Sequence, residues 1–210
     1  MQIHPPHVTE SEVLERRRLG LDILDEEWEG VYHVTASPSF GHQQVQDGLV
    51  RFLGTLLESR GGPPSPSGLR RAGGTVVSDF NVFRENARKR DFSIPDLLFV
   101  AAGRENIIAD DGIRGGAPDA VFEILSPNDE SYAKFAFYAA IGVPEVVVVE
   151  PKARTAEVWR LADGRYERVP AGGDGAVVSE QLEVSMRTIA GNPPRLEFVD
   201  RRDPAQRAAI

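Results

Sequence analysis

Residues 119–150 read as strand, helix, strand, and that order constrains the fold more than any other feature of the chain. Val121, Phe122, Ile124 and Leu125 make 119–125 a strand. Ser126-Pro127-Asn128-Asp129 then supplies helix-start chemistry, and Tyr132, Phe135, Ala136, Ala139 and Ala140 give a helical stripe as far as Ile141-Gly142. Residues 146–150 are again apolar and β-branched. Two strands joined by a crossover helix lie parallel in one sheet, because only a long connection returns the chain in the same direction. The expected class is therefore α/β, with a central mixed β-sheet flanked by helices.

The rest of the chain supplies neighbours for that unit. Thr9-Glu10-Ser11-Glu12 is a capping box that opens a helix through Leu19, with Gly20 to end it. Residues 31–35 look like a strand that Ser37-Pro38 stops. From Phe40 to Arg60, Val45, Leu49, Phe52, Leu53, Leu56 and Leu57 recur at helical spacing, and Gly61-Gly62 closes the segment. A surface loop at Pro63-Pro64-Ser65-Pro66-Ser67-Gly68 leads to apolar strands at 75–83 and 95–101. Stretches 155–161 and 165–169, around Ala162-Asp163-Gly164, form a hairpin that extends the sheet.

Composition removes several classes of function. With 41% of 210 residues hydrophobic, one real core is within reach. The absence of cysteine rules out disulfides, a thiolate nucleophile and Cys-type zinc sites. Thirty-two acidic against 24 basic side chains give −8, which argues against a DNA-coating protein and leaves only a local basic patch for nucleic acid. No apolar run approaches the ~18 residues of a membrane span, and Met1-Gln2-Ile3-His4-Pro5 lacks a charged-then-apolar leader. A cytoplasmic protein without a membrane partner is the expectation.

The chemistry is carried by carboxylates. If strands 95–101 and 119–125 pair with Asp96 opposite Glu123, two acids on neighbouring strands have Cβ atoms about 5 Å apart. Glu123 is surrounded in sequence by Val121, Phe122, Ile124 and Leu125, and a buried carboxylate without a partner costs several kcal/mol. A hard divalent cation, Mg²⁺ or Mn²⁺, suits such oxygen ligands and keeps water positions open for a phosphate. Lys134, in the helix that follows the Glu123 strand, could reach the same end of the sheet and stabilise negative charge on phosphorus.

Pro118-Asp119-Ala120-Val121-Phe122-Glu123-Ile124-Leu125-Ser126-Pro127, followed by Lys134-x-x-x-Tyr138 and Gly142-Val143-Pro144-Glu145, resembles the Uma family of restriction-endonuclease-like proteins, within the PD-(D/E)XK nuclease superfamily. Ile94-Pro95-Asp96-Leu97-Leu98-Phe99-Val100 looks like the family's upstream Pro-Asp strand. The resemblance implies a restriction-endonuclease-like core over residues 25–170, preceded by a helical extension at 1–24 and followed by a tail at 171–210 that packs on the same domain. It implies Asp96 and Glu123 as metal-binding carboxylates. Leu125 stands where the superfamily's usual lysine would be, and Lys134 on the next helix takes its place. Glu26, before Gly30, looks like a further metal-facing acid, although Glu27 or Glu29 could hold that role.

The expected activity is Mg²⁺- or Mn²⁺-dependent hydrolysis of DNA phosphodiesters by Asp96, Glu123 and Lys134, in a homodimer that presents two sites to a duplex. Rival readings are an inactive nuclease scaffold used for binding, and a hydrolase of a smaller phosphate ester. Asp119 reads as a strand-entry turn before it reads as a ligand, and His42 as a surface residue at a helix start. His4, His7 and His33 show no ligand spacing, and the basic clusters Arg16-Arg17-Arg18 and Arg84 to Arg90 read as solvated charge before DNA contacts. Gly112-x-x-Gly115-Gly116 lacks the context of a nucleotide loop.

Overall fold

A computed structural model describes residues 9–35, 37–60, 73–85, 91–126 and 130–210. From the N-terminus these form helix α1 (Glu10–Leu19), a short hairpin of β1 (Glu26–Trp28) and β2 (Val31–His33), and the long helix α2 (Phe40–Ser59). Strands β3 (Thr75–Ser78), β4 (Val82–Phe83), β5 (Phe92–Ser93) and β6 (Leu97–Val100) follow. After β7 (Ile108–Ala109), β8 (Gly112–Ile113) and β9 (Ala120–Ile124), helix α3 (Phe135–Ile141) leads into β10 (Glu145–Glu150). A hairpin of β11 (Thr155–Ala162) and β12 (Arg165–Arg168) precedes β13 (Val177–Ser179), β14 (Val184–Ile189), β15 (Arg195–Asp200) and β16 (Arg207–Ala209).

The central sheet runs β12-β11-β10-β9-β6-β3. Its β9 and β10 are parallel and its other neighbours antiparallel, so the sheet is mixed and the strand-helix-strand unit stands as the sequence suggests. Alternate residues point to opposite faces. Leu97, Phe99, Ala120, Phe122, Ile124, Val147 and Val149 pack on one side against Val45, Leu49, Leu53 and Leu56 of α2. Leu98, Val100, Val121, Val146 and Val148 pack on the other against Phe137 and Tyr138 of α3 and Trp28 of β1. A helix thus covers each face, and both begin near the end of the sheet where β6 starts and β9 stops.

Three elements depart from the sequence expectation. Strand 75–83 is two strands, because Asp79 at φ 50° turns the chain out of the central sheet and into a smaller one ordered β2-β1-β5-β4-β8-β7. Helix α3 begins at Phe135 with Lys134 as its N-cap residue, not at Ser126. The Ser126 hydroxyl lies 3.2 Å from His42 Nδ1, and the Glu130 carbonyl accepts the Ala133 and Lys134 amides in the turn before α3. Finally, the C-terminal segment forms a sheet of its own, β13-β14-β15-β16, whose Val184, Met186, Leu196 and Phe198 join the α2 side of the core. His4, His7, the loop at 63–68, Pro127-Asn128-Asp129 and residues 86–90 of the basic cluster lie outside the described residues.

Candidate active site

The β6–β9 ladder pairs Leu97 with Phe122, Leu98 with Val121 and Phe99 with Ala120, which places Asp96 across from Glu123 one step beyond. That is the register the sequence suggests. Glu123 shares the parity of Val121, so it points to the α3 side, where it is buried. Asp96 precedes the first residue of β6. Its Oδ2 accepts the Ile124 N–H at 2.5 Å, and its Oδ1 lies 3.0 Å from His42 Nε2, at the start of α2. The two acids are therefore held from opposite layers of the sandwich.

Lys134 reaches back from the cap of α3, and its Nζ lies 2.9 Å from Glu26 Oε1, 3.2 Å from Glu123 Oε2 and 3.4 Å from the Ile94 carbonyl. One ammonium thus serves two buried carboxylates. One helical turn further, on the same face of α3, Tyr138 donates to Glu123 Oε1 at 2.5 Å. The Tyr138 oxygen is 3.1 Å from Ser93 Oγ, which donates to Glu26 Oε1 at 3.0 Å. Glu123, Tyr138, Ser93, Glu26 and Lys134 close a ring of hydrogen bonds. The turn before Lys134 is fastened in addition by His33, which stacks on Trp28 at 3.7 Å and meets Glu130 at 2.6 Å.

Electrostatics follow from crowding. Burial pushes the Glu123 carboxyl up to about 8; Lys134 opposes the rise, and the charges of Asp96 and Glu26 add to it. Burial works against the charge on Lys134, but Glu123, Glu26 and Asp96 outweigh it, so its pKa rises and the ammonium persists. Tyr138 is raised well above an ordinary phenol, by burial first and by the two glutamates next, and stays a proton donor. Three acids around one ammonium leave an excess of negative charge. Among the described residues no three His, Cys, Asp or Glu side chains converge as a ready-made cation cage. Asp96 and Glu123 would offer a hard divalent cation two oxygen ligands.

All four residues singled out from the sequence, Asp96, Glu123, Lys134 and Glu26, belong to this cluster. Residues not singled out there also serve it. His42 is buried against Asp96, not a surface residue, and Gln46 Nε2 donates to the Asp96 carbonyl and to Asp79, both at 3.0 Å. Their signal is positional: positions 42, 46, 49 and 53 lie on the buried stripe of α2, where polar side chains need partners. Tyr138 has a signal too, four residues after Lys134, whereas Ser93 has none. Asp119 lies apart, paired with Arg104 and accepting the Ala101 N–H at 2.7 Å, which is its strand-entry role. Arg16, Arg17 and Arg18 pair with Asp25, Asp22 and Glu15, and Arg84 with Asp91 and Glu29.

No helix among the described residues is long and apolar enough to cross a membrane. No curated protein matches the chain. A solved structure described as a putative nuclease belonging to DUF820, from Anabaena variabilis ATCC 29413, is 17% identical, covers 75% of this chain and 82% of its own, and superposes with a TM-score of 0.55. At that identity the likeness is one of fold, and it agrees with a restriction-endonuclease-like core. The family model described as "Uma2: Putative restriction endonuclease" matches residues 22–190, taking in Glu26, Asp96, Glu123 and Lys134, and the chain belongs to that family.

Proposed function

We propose that the protein is a Mg²⁺- or Mn²⁺-dependent endodeoxyribonuclease. The observation that carries this reading is the Lys134 ammonium lodged between Glu26 and Glu123 at 2.9 and 3.2 Å, with the Asp96 carboxylate on the Ile124 N–H beside them. In this reading Asp96 and Glu123 hold the cation. Bound there, a divalent ion supplies Lewis acidity and a more acidic water. His42 and the Ile124 N–H fix the Asp96 carboxylate, and Tyr138 fixes that of Glu123. Lys134 donates to a non-bridging phosphate oxygen and stabilises the charge that develops there. Cutting both strands of a duplex asks for two such sites, so the working form is a homodimer related by a two-fold axis.

A second reading, a scaffold that binds without turnover, is favoured by one observation: each of the three acids already accepts hydrogen bonds from the protein. Incubating purified protein and plasmid with Mg²⁺ or Mn²⁺ separates the two. The nuclease reading expects nicking that falls on the order of 10²–10³-fold in Asp96→Ala and in Glu123→Ala. Cutting that survives in both variants refutes it, and so does a wild-type protein that neither cuts nor binds metal.

A further inference from the structure

We infer that Glu26 is a positioning residue that holds the Lys134 ammonium beside the cation site, and that it does not ligate the cation; the inference rests on the nuclease reading and assigns one of its acids a different task. The Glu26 oxygen that meets Lys134 is filled by donors from the protein. Its Oε1 accepts the Ile94 N–H at 2.6 Å, Lys134 Nζ at 2.9 Å and Ser93 Oγ at 3.0 Å, and its Oε2 accepts the indole N–H of Trp28 at 3.1 Å. A carboxylate oxygen has about two lone-pair sites, so three donors fill Oε1, the oxygen that meets Lys134, while Oε2 is turned to the Trp28 indole. Ligating a cation through Oε1 would strip the buried Ile94 amide, the Ser93 hydroxyl or Lys134 of its acceptor.

Asp96 and Glu123 differ in capacity. Among the described residues each Asp96 oxygen has one partner, His42 or the Ile124 N–H, and Glu123 Oε2 meets Lys134 alone. Room for a cation next to Lys134 is on those two residues, because the Glu26 oxygen on that side already has three donors. The same geometry gives Glu26 its role. Lys134 is closer to Glu26, at 2.9 Å, than to either oxygen of Glu123, at 3.2 and 3.3 Å. Without Glu26 the ammonium would settle on Glu123 and compete with the cation for the same oxygens. With it, Lys134 keeps an anchor while Glu123 is committed to metal, and its remaining protons are available to a phosphate. Ser93 couples the anchor to Tyr138, so both glutamates are set by one strand and one helix face.

Calorimetric titration of Mn²⁺ and plasmid cleavage, on wild type, Glu26→Gln, Ser93→Ala and Asp96→Ala, test the assignment. Glu26→Gln is expected to bind Mn²⁺ within about threefold of wild type, while kcat at saturating Mn²⁺ falls about 10–100-fold and KM for DNA stays within about twofold. Ser93→Ala follows the same pattern with a smaller fall, and Asp96→Ala weakens Mn²⁺ more than tenfold. If Glu26→Gln weakens Mn²⁺ as much as Asp96→Ala does, Glu26 is a ligand and the inference is wrong. A metal-free measurement stands beside these: thermal unfolding of Glu26→Gln, Lys134→Met and the double variant. Losses in Tm that do not add support the anchor, and additive losses overturn it. Wild type that fails to bind Mn²⁺ ends the nuclease reading, while the unfolding cycle still decides whether Glu26 holds Lys134.

Discussion

Glu123 and Glu145 are both buried glutamates on adjacent parallel strands, and they are treated in opposite ways. Glu145 accepts Ser179 Oγ at 2.7 Å, the Glu180 and Gln181 amides at 3.0 and 3.1 Å, and Arg160 Nη2 at 3.2 Å. Its charge is matched by a guanidinium and by fixed donors, and the contact fastens the central sheet to the C-terminal one. Among the described residues Glu123 accepts no backbone amide; it has a phenol and a share of an ammonium that Glu26 also claims. Matched burial makes a carboxylate a structural fastener. Crowded burial leaves one with a demand for positive charge, which is what a cation site requires.

The sharpest way to break this contrast is to remove each charge in turn. Glu123→Gln should lower DNA cleavage on the order of 10²–10³-fold and leave stability unchanged or raised, because glutamine never takes on the charge that burial beside Asp96 and Glu26 makes costly. Glu145→Gln should do the reverse, costing about 3 kcal/mol in urea denaturation as buried donors lose their acceptor, while Mn²⁺ affinity stays within about threefold. A greater loss of stability in Glu123→Gln than in Glu145→Gln would contradict the distinction.

A smaller effect is expected at Tyr138. Tyr138→Phe keeps the ring in the core and deletes only the hydroxyl that orients Glu123, so Mn²⁺ affinity measured by calorimetry should fall about tenfold. An unchanged affinity would show that Lys134 alone orients the carboxylate. The mildest test is pH. Glu123 titrates at about 8 when folded, against an ordinary 4.5. Between those values the folded chain keeps a proton that the unfolded chain has released, so metal-free stability should fall as pH rises across that window, and the fall should vanish in Glu123→Gln. Asp200 runs the other way. Burial opposes its charge, but the hydrogen bonds from Arg60 and the Arg202 amide prevail and hold it below its usual 3.8, so its contribution is present above that pH and lost as the pH drops through the lowered value. Denaturation profiles at pH 5 and pH 8 that coincide for wild type would remove the Glu123 effect.

What could be read from the sequence depended on how local the cause was. Apolar alternation and the crossover helix are short-range patterns, and from them the β9-α3-β10 unit and the register that sets Asp96 opposite Glu123 could be inferred. The turn at Asp79 left a faint mark, Ser78-Asp79 with Asn81, which the apolar residues on either side masked; the reversal is supported by Gln46, 33 positions away. The late start of α3 was hidden for a similar reason, because Ser126 has good capping chemistry and nothing local reveals its contact with His42, 84 positions away. In the cluster, the acids and the lysine stood out by type. Ser93 did not, for its value lies wholly in contacts with Glu26, 67 positions distant, and Tyr138, 45 distant.

The central claim is that Asp96 and Glu123 share one divalent cation next to Lys134. Anomalous scattering from a crystal equilibrated with Mn²⁺ tests it directly. The expected result is a single strong manganese peak within coordination distance of an oxygen from each of the two carboxylates, with the Lys134 ammonium still on Glu26. A manganese peak elsewhere, or none with the Lys134 contacts to both glutamates intact, would contradict it.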